Sequence, residues 1–426
     1  MQEETSPKDI KKSKDLKGRL SISWLRIKSI VKWILISLIE GVVLGLIGTL
    51  FYYCIAWATG FRQSHLMVVL LLPFGAMAIH WIYHITKRDN PGGTNLVLAS
   101  IRDGQKIPLR MTPLIFISTV FSHFCGASVG REGAALQLGG SVGAFMAKIF
   151  RQKDESRRIM VMAGMGAAFS ALLGTPLSGA VFAMEITSVG VMYYPALLPS
   201  VIAAFTAHRI AILLHQPVTA YSIGPVPEFT LISALKISLV GFASGLAAIL
   251  FIIALREAGK YAGSLVGNKY LRAFVIGCIL LGLTILTGFL EGRPEQYNGA
   301  GIDMIEMALL GNSPWYAFLM KILFTALSIA AGYKGGEIVP SFFIGATLGA
   351  AIGPLVGLNP ALAAAAGMGS VFCGVTNCPL TGLVFLFELF GFKAMPFFIL
   401  PIAISYVASS YYSLYKTQEF RFKKFV

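Results

Sequence analysis

Long apolar segments alternate along this chain with regions whose apolar runs are short and interrupted by glycine. A helix that crosses a bilayer takes roughly 20 residues. Segments of about that length or more are Trp33–Gly60, Leu66–Thr86, Met192–Leu214, Phe229–Leu255, Leu271–Leu290 and Pro396–Tyr412. Between Thr94 and Gly190, and again between Gly299 and Phe390, few apolar runs reach it. Broken helices are tolerated in a membrane where they pack in protein or line a cavity, and transporters build ion sites from them. The pattern predicts an all-α membrane protein.

The two short-segmented regions are related by an internal repeat. Residues 163–185 and 366–388 align 203 positions apart, and 11 of the 23 pairs are identical, including a Pro, a Phe and the final Glu. Upstream, Gly139 matches Gly345 at a separation of 206. Shared glycine and alanine content does not explain an aligned Pro, Phe and Glu. The repeat predicts two equivalent halves, parallel or inverted. An odd number of crossings per half makes them inverted, with a binding site near the midplane.

Composition supports a multi-spanning membrane protein, because 56% of the 426 residues are hydrophobic and only 13% are charged. The net charge of +15 is concentrated at the two ends. Basic ends also occur in nucleic-acid-binding proteins, but the positive-inside rule explains them more simply, so no nucleic-acid partner is expected. The rule places both termini in the cytoplasm of a multi-pass protein of the cell membrane, with an even number of crossings.

These patterns divide the chain into three parts. Residues 1–32 are a basic cytoplasmic segment with one amphipathic helix along the membrane surface. Residues 33–218 are the first half of the repeat, and residues 219–426 are the second half with a short cytoplasmic tail. No soluble regulatory domain is expected, and the first apolar run is too long for a cleavable signal peptide. The five cysteines mostly lie in apolar runs without ligand spacing, so we expect neither a metal nor a cofactor.

The stretch Gly126–Gly143, GASVGREGAALQLGGSVG, places Arg131 and Glu132 between glycines in an apolar region. Ionisable groups at membrane depth are costly and usually mark an ion or proton pathway. The residues after Gly133 predict a helix whose first amide groups point outward and attract anions. Glu132 at this helix start would compete with an anion when ionised and leave the site when protonated. A glutamate that only caps the helix is the alternative.

Three motifs together resemble the CLC family of anion channels and proton-coupled anion antiporters. They are GREGA at 130–134, GGEIVP at 335–340, and the paired PLSG and PLTG helix starts. The resemblance covers nearly the whole chain from Trp33 onward. It implies inverted halves of short tilted and broken helices, a homodimer, and a separate anion pathway in each subunit. It also implies that Glu132 gates the outer side of the pathway and couples anion movement to proton movement.

The resemblance further implies a site where helix N-termini converge, after Gly93, at Glu132 and after Glu337. The anion-binding residues that it implies are Gly93, Thr94, Asn95, Gly130, Arg131, Gly133, Glu337, Ile338, Val339 and Tyr415. Tyr415 is chosen among the four tyrosines near the C-terminus because it lies beyond the last span. Aromatic residues in that position also form interfacial belts.

Departures from the family's chloride-selective pattern resemble its fluoride/proton antiporter branch. The loop that reads GSGIP in chloride transporters is GGTNL at residues 92–96, and the GxFxP motif carries an acidic residue, Glu337. The inner proton-relay glutamate is missing after Glu185. Fluoride is small and tightly hydrated, so removing its water requires close hydrogen bonds such as those from the amide of Asn95. Val339 stands where a hydroxyl residue is expected, which leaves that side of the site without a side-chain donor.

Two of these assignments have simpler alternatives. Asn95 is a common type of helix N-cap residue, and Glu337 can pair with Lys334 as a neutralised charge. Both roles are compatible for Asn95. Protonated Glu132 and Glu337 could each donate a hydrogen bond to fluoride, since burial disfavours the charged form of a carboxyl group.

The predicted function is a proton-coupled antiporter that exports fluoride from the cytoplasm in exchange for protons. A chloride or nitrate antiporter is the main alternative, followed by a passive anion channel of the same family. Neither an enzyme nor an ATP-driven pump is expected, because the chain has no HExxH motif and no GxxxxGK[ST] loop. The expected partners are fluoride or chloride, protons, membrane lipid and a second copy of the chain.

Overall fold

The computed structural model describes residues 16–87, 92–217 and 221–424, with side chains from residue 23 onward. The described residues contain sixteen α-helices, in two consecutive sets of eight. The first set is α1 Leu16–Ser64, α2 Leu72–Ile85, α3 Gly93–Asp103, α4 Met111–Cys125, α5 Glu132–Ile149, α6 Asp154–Leu173, α7 Pro176–Glu185 and α8 Leu197–Leu213. The second set is α9 Leu231–Leu265, α10 Lys269–Glu291, α11 Ile302–Leu309, α12 Ala317–Ala331, α13 Ile338–Leu355, α14 Pro360–Thr376, α15 Pro379–Phe390 and α16 Met395–Ala408.

Short elements connect these helices. Three 3-10 helices are Leu66–Leu71, Tyr194–Ala196 and Phe392–Ala394, and the strands are β1 Ser188–Val189 and β2 Glu419–Phe420. The strands pair in parallel, which attaches the C-terminal tail to the segment that follows α7. Gln418, next to β2, donates from Nε2 to Ile186 O at 2.9 Å and to Thr376 O at 2.7 Å. The tail is therefore fixed to both halves of the chain.

Six helical segments of the described chain are long and apolar enough to cross a membrane. They are Ser23–Ser64, Leu66–Ile85, Tyr194–Leu213, Leu231–Leu265, Lys269–Glu291 and Ile338–Leu355. Shorter apolar helices lie mainly in the two regions where the sequence predicts interrupted segments. Five of the six long segments match long apolar segments of the sequence. Ile338–Leu355 instead lies in a region predicted to be short-segmented, and the predicted span Pro396–Tyr412 belongs to a shorter apolar helical segment, Phe392–Ala408.

The N-terminal part of the chain differs from the sequence-based expectation. The sequence predicts a separate surface helix within residues 1–32. For residues 16–32 this prediction is wrong, because α1 runs without a break from Leu16 to Ser64. The sequence offers no Pro or Gly near residue 32 that would end the helix there. Residues 1–15 lie outside the described residues, as does the expected boundary between the halves at 218 and 219.

Glycine pairs set the same helix crossing in both halves. A Cβ on Gly139 of α5 would collide with the backbone oxygen of Gly164 on α6. A Cβ on Gly345 of α13 would likewise collide with the backbone oxygen of Gly367 on α14. Small residues let helix backbones approach closely, and the resulting van der Waals contacts help to drive helix association in a membrane. The repeated glycines therefore give α5 with α6, and α13 with α14, equivalent packing.

The two repeated glutamates join the halves to each other. Glu388 at the end of α15 accepts hydrogen bonds from the backbone N–H groups of Leu177 and Ser178, both at 2.8 Å. Glu185 at the end of α7 accepts from Leu380 N–H at 3.1 Å and Thr381 N–H at 2.8 Å. Each carboxylate thus satisfies free amides at the start of the equivalent helix in the other half. This reciprocal contact explains why a glutamate occurs at both positions.

Candidate functional site

Two equivalent loops, which lead into α5 and α13, form the centre of the site. Each begins with a glycine of positive φ after the preceding helix, Gly126 at 91° and Gly332 at 105°. Gly130 N–H then donates to Gly336 O at 2.6 Å, and Gly336 N–H donates to Gly130 O at 2.7 Å. This pairing is antiparallel. The loops therefore run in opposite directions, and the helices that follow start from one shared point.

The first residues of α5 and α13 approach so closely that only glycine fits. A Cβ on Gly133 would stand 2.8 Å from Gly336 Cα, and a Cβ on Gly336 would collide with the backbone nitrogen of Gly133. The same position on Gly133 lies 3.7 Å from Glu337 Oε2. The Glu337 carboxylate is therefore close to the N-terminus of α5, where free amide groups favour negative charge.

A third helix start, that of α3, is held against α5. Gly92 and Gly93 have φ values of 72° and 57°, in the left-handed region that glycine adopts without a steric penalty. Thr94 Oγ1 then donates to Gly133 O at 3.4 Å and accepts from Gln137 Nε2 at 3.3 Å. The convergence of three helix N-termini that the sequence predicts is thus present in the structure.

Glu132 is fully buried at the first position of α5. Its Oε2 accepts a hydrogen bond from the backbone N–H of Arg131 at 3.1 Å. The carboxylate lies beside the pairing of the two loops, since a Cβ on Gly130 would stand 3.1 Å from Oε2. The Glu132 carboxylate therefore accepts a hydrogen bond from a backbone amide at a helix start, and amides in this position also bind anions. This position is compatible with competition between Glu132 and an anion.

Arg131 interacts with protein groups on the other side of Glu132. Its Nε lies 3.3 Å from Glu132 Oε1, and its guanidinium carbon is 4.9 Å from the ring centroid of Tyr52 on α1. Only 7% of its surface is exposed. The structure thus engages this cation with Glu132 and an aromatic ring, and a direct contact with an anion is not required to explain its burial.

A cavity of about 430 Å³ contains many of the predicted site residues. We call it the central cavity. Its lining consists of Tyr83, Gly92, Gly93, Thr94, Asn95, Ile115, Gln137, Ile329, Tyr333, Lys334, Gly335, Glu337, Leu414 and Tyr415. The predicted residues brought together in this way are Gly93, Thr94, Asn95, Glu337 and Tyr415. Those that do not belong to its described lining are Gly130, Arg131, Glu132, Gly133, Ile338 and Val339.

Asn95 is not a helix N-cap, so that alternative is wrong. The N-cap of α3 is Gly92, and Asn95 lies within the first helical turn. Its Oδ1 accepts from Thr417 N–H at 3.3 Å and from Thr417 Oγ1 at 3.2 Å. The tail thereby fixes the orientation of the amide, and no described residue accepts a hydrogen bond from Nδ2. Both N–H donors of this group remain for a ligand in the central cavity.

Glu337 is the N-cap residue of α13, yet its side chain makes no capping hydrogen bond. The alternative in which Glu337 pairs with Lys334 is met only in part. Among the described residues no direct ion pair joins the two, and Lys334 Nζ lies 5.3 Å from the ring centroid of Tyr83. The two buried charges still attract each other at longer range. Glu337 is thus an acidic group in the wall of the cavity.

Three predicted residues remain, namely Tyr415 in the tail and Ile338 and Val339 in α13. Tyr415 is 4% exposed, and its hydroxyl group has no hydrogen-bond partner among the described residues. A buried unpaired hydroxyl is unusual, and the residue that carries it lines the central cavity. Ile338 and Val339 are buried in the first turn of α13. Their side chains supply no hydrogen-bond donor, so the backbone amides are the groups that they offer to an anion.

Three polar lining residues were missed by the sequence analysis. One of them, Tyr333, donates from its hydroxyl group to Leu72 O at 2.7 Å. Gln137 lies on α5 and contacts Thr94, and Tyr83 lies on α2 under the Lys334 ammonium group. Gln137 is a lone amide in a run of glycine, alanine and leucine, which is a usable signal. Tyr83 carries no such signal, because tyrosine near the end of a span is ordinarily an interfacial residue.

A short stretch of α5 matches the spacing of a hydrolase motif but not its structure. Residues 139–143, GGSVG, fit the GxSxG pattern of serine hydrolases. That motif requires a sharp turn between a strand and a helix. Ser141 instead lies within α5, is fully buried and donates from Oγ to Pro108 O at 3.2 Å. The serine is thus a helix-packing residue.

Comparison with known protein families gives one match over most of the chain. The family described as "Voltage gated chloride channel" matches residues 74–410. The chain belongs to the CLC family. It has the all-α membrane fold of that family, and it is a member of a group of transporters and channels, not of an enzyme family.

Two curated relatives differ in the ions that their names give. A "Chloride/fluoride channel protein" of Pseudomonas syringae pv. tomato is 36% identical over 394 residues, which is 91% of this chain and 86% of the relative. The "H(+)/Cl(-) exchange transporter ClcA" of Yersinia pestis is 25% identical over 383 residues, 84% of this chain and 80% of the relative. Both support anions as the transported substrates of this group.

Two solved structures share the fold. The crystal structure of a CLC-type fluoride/proton antiporter has a TM-score of 0.86 and 30% identity, and the match covers 92% of this chain and 98% of the other. A slow cyanobacterial Cl-/H+ antiporter has a TM-score of 0.75 and 19% identity, and the match covers 88% of this chain and 94% of the other. The second likeness concerns the fold alone.

Proposed function

We propose that this protein is an antiporter of the cell membrane that exports fluoride from the cytoplasm in exchange for protons. It acts as a homodimer with one pathway per subunit, and both of its termini lie in the cytoplasm. The assembly and the orientation rest on the family resemblance and on the basic ends of the chain. Glu132 is the gate that couples the two ions.

The observation that carries the proposal is the set of unused polar groups in the central cavity. Tyr415 Oη has no hydrogen-bond partner among the described residues, and the contacts of Asn95 with Thr417 use its oxygen and leave its N–H groups as donors. Glu337 adds a carboxyl group to the same cavity that can donate when protonated. Donors of this kind suit a small anion whose water must be replaced by close hydrogen bonds. A protonated carboxyl group offers such a bond to fluoride, which is a stronger base than chloride.

Coupling follows from the position of Glu132. Its carboxylate accepts from an amide at the start of α5, where an anion would also bind. Protonation removes the negative charge and weakens that hold, so the anion site becomes free as a proton is taken up. Movement of the side chain would then carry one proton against the passage of anions. Alternation of this kind exchanges the two ions instead of letting the anion leak.

The relatives support fluoride over chloride as the transported anion. A fluoride/proton antiporter structure shares 30% identity with the chain, and a chloride/fluoride channel protein shares 36%. H(+)/Cl(-) exchange transporters share 25%. A chloride/proton antiporter is therefore the second candidate.

The test is ion flux from proteoliposomes. Purified protein is reconstituted with internal fluoride or internal chloride, and anion efflux and proton uptake are recorded together. We expect fluoride efflux with coupled proton uptake and much slower chloride efflux. Chloride efflux that equals or exceeds fluoride efflux would favour the second candidate. Anion efflux without any proton uptake would identify a passive channel and contradict the proposed exchange.

A further inference from the structure

A second cavity of about 400 Å³ borders the far side of Glu337. We call it the basic vestibule. It shares two lining residues with the central cavity, Glu337 and Leu414. These two side chains therefore form the partition between the cavities. Leu414 is fixed there by its backbone, because its N–H donates to Val375 O at 3.0 Å.

Cations line the basic vestibule. Arg256 and Lys260 lie one helical turn apart near the end of α9, and Lys416 follows Leu414 in the tail by two residues. Arg256 Nη2 donates to Ser413 O at 2.7 Å, which places its guanidinium next to the partition. Lys260 and Lys416 are exposed, so the vestibule is open to the surface at these residues.

The acidic groups near the vestibule leave its charge positive. Glu257 lies 3.9 Å from Lys260 Nζ, but it is not among the lining residues, and the pair is largely exposed. Exposed ion pairs of this kind contribute little and are screened by salt. Glu337 is the acidic residue in the described lining. Three cations therefore face one carboxyl group at the inner end.

We propose that the basic vestibule is an anion-binding entrance through which the transported anion reaches Glu337, with Leu414 as the apolar gate into the central cavity. Rings of Arg and Lys are used by anion pores, and clefts lined by one sign of charge raise the local concentration of the opposite ion. The anion then passes Glu337 and Leu414 and enters the central cavity, which Tyr415 also lines. This inference rests on the proposed function for the identity of the anion.

The vestibule can be probed through Gly259, which belongs to its lining. A Cβ at this position meets no atom within 4 Å, so Gly259→Cys fits without rearrangement. Gly267→Cys is the matched control, since its Cβ also meets nothing and the residue does not line the vestibule. Both variants are made with Cys54→Ser and Cys278→Ser, because these are the native cysteines that are not buried.

Each variant is treated with an anionic and with a cationic methanethiosulfonate reagent. A thiolate attacks the reagent, forms a mixed disulfide and releases methanesulfinate, and mass spectrometry gives the extent of labelling. We expect the anionic reagent to label the Gly259→Cys variant about tenfold faster than the cationic one, and the Gly267→Cys variant to show no such preference. Labelling of the Gly259→Cys variant should block anion transport, and millimolar fluoride should slow the labelling. Labelling of the Gly267→Cys control should leave transport unchanged.

Complete labelling of the Gly259→Cys variant with unchanged anion transport would overturn the vestibule as an entrance. Equal labelling by the two reagents would overturn its positive potential. Both results are distinct from failure of the proposed function, which would show as absence of coupled fluoride transport in the unlabelled protein. Chloride flux then serves as the transport readout for the same labelling. Lys260→Cys provides a second lining position if Gly259→Cys does not yield folded protein.

Discussion

The two loops that lead into α5 and α13 make equivalent backbone hydrogen bonds but carry different charged side chains. Ser128 N–H in the first donates to Ser328 Oγ of the second half, and Lys334 N–H in the second donates to Ser122 Oγ of the first half. Gly130 and Gly336 bond to each other in the same reciprocal way. The fold thus duplicates the amide groups at the two helix starts, while the side chains around them have diverged.

Divergence is clearest where the repeat aligns unlike residues. Arg131 aligns with Glu337, and Glu132 aligns with Ile338. At the start of α5, the buried Glu132 carboxylate therefore accepts a hydrogen bond from a backbone amide of the same helix start. At the start of α13, the Glu337 carboxyl group instead lines the central cavity. Glu185 and Glu388, by contrast, are alike and cap each other's helices. The charges that follow the repeat join the two halves, and under the proposed function the charges that differ between the halves belong to the ion pathway.

The largest effect is expected from breaking the shared backbone. Gly133→Ala or Gly336→Ala places a Cβ against the backbone of the opposite helix start. Anion affinity should fall about a hundredfold, the equivalent of ~3 kcal/mol of strain. Lys334→Gln should change it by less than about threefold, because the backbone amides at the helix starts bind the anion, and Lys334, although it lines the cavity, makes no direct ion pair among the described residues. Calorimetry of fluoride and chloride binding measures both.

Folding is checked by size-exclusion chromatography, and Gly267→Ala is the control because its Cβ meets nothing. A lysine variant that abolishes binding while the glycine variants retain it would show that full charge, not amide geometry, binds the anion.

Removing polar side chains that line the central cavity should change selectivity. Asn95→Ser and Glu337→Ala each remove donors from the central cavity. The ratio of fluoride to chloride efflux should fall about tenfold in each, roughly the value of one lost charge-assisted hydrogen bond. Asn312→Ser and Glu228→Ala are exposed controls of the same residue types. An unchanged ratio in both site variants would favour a chloride antiporter.

The symmetric charges should matter for stability alone. Glu185→Ala and Glu388→Ala each leave the amides of a partner helix without their acceptor. We expect each to lower the free energy of unfolding by about 1–3 kcal/mol, and by similar amounts. Thermal unfolding in detergent compares them with Glu228→Ala, an exposed control. Proton coupling should persist in both. Loss of coupling in one variant only would assign that glutamate to the pathway.

The smallest effect concerns the basic vestibule. Lys260→Gln combined with Lys416→Gln should slow transport about threefold at low ionic strength, and the difference should vanish in high salt because exposed charges are screened. Lys423→Gln, in the same tail but outside the vestibule, is the control. The measurement is the initial flux rate across a series of salt concentrations. A salt-independent deficit would indicate a structural role for the lysines.

Much of the fold could be predicted from the sequence. The helix starts after Gly93, at Glu132 and after Glu337 are confirmed, because glycine clusters before apolar runs are strong local signals. The repeat also matched Gly139 with Gly345, and the structure places both at equivalent helix crossings. The break expected at residue 32 was wrong, since basic residues alone do not end a helix.

The site was less accessible to sequence reasoning. Which groups face the central cavity depends on tertiary contacts, such as the bonds from Thr417 that orient Asn95. Spacing suggested that Lys334 pairs with Glu337, and whether the two groups touch depends on the loop, which leaves them without a direct ion pair among the described residues. The partition at Leu414 is formed by residues far apart in the chain, so no local pattern indicates it.

One measurement tests the central claim most directly, namely that Glu132 couples the anion to the proton. Proteoliposomes with a fluoride gradient and no proton gradient are prepared with the native protein and with Glu132→Gln, and internal pH and fluoride efflux are recorded together. The account predicts uphill proton movement with the native protein. With folded Glu132→Gln it predicts anion movement without proton movement. A Glu132→Gln protein that still drives protons uphill would contradict the account.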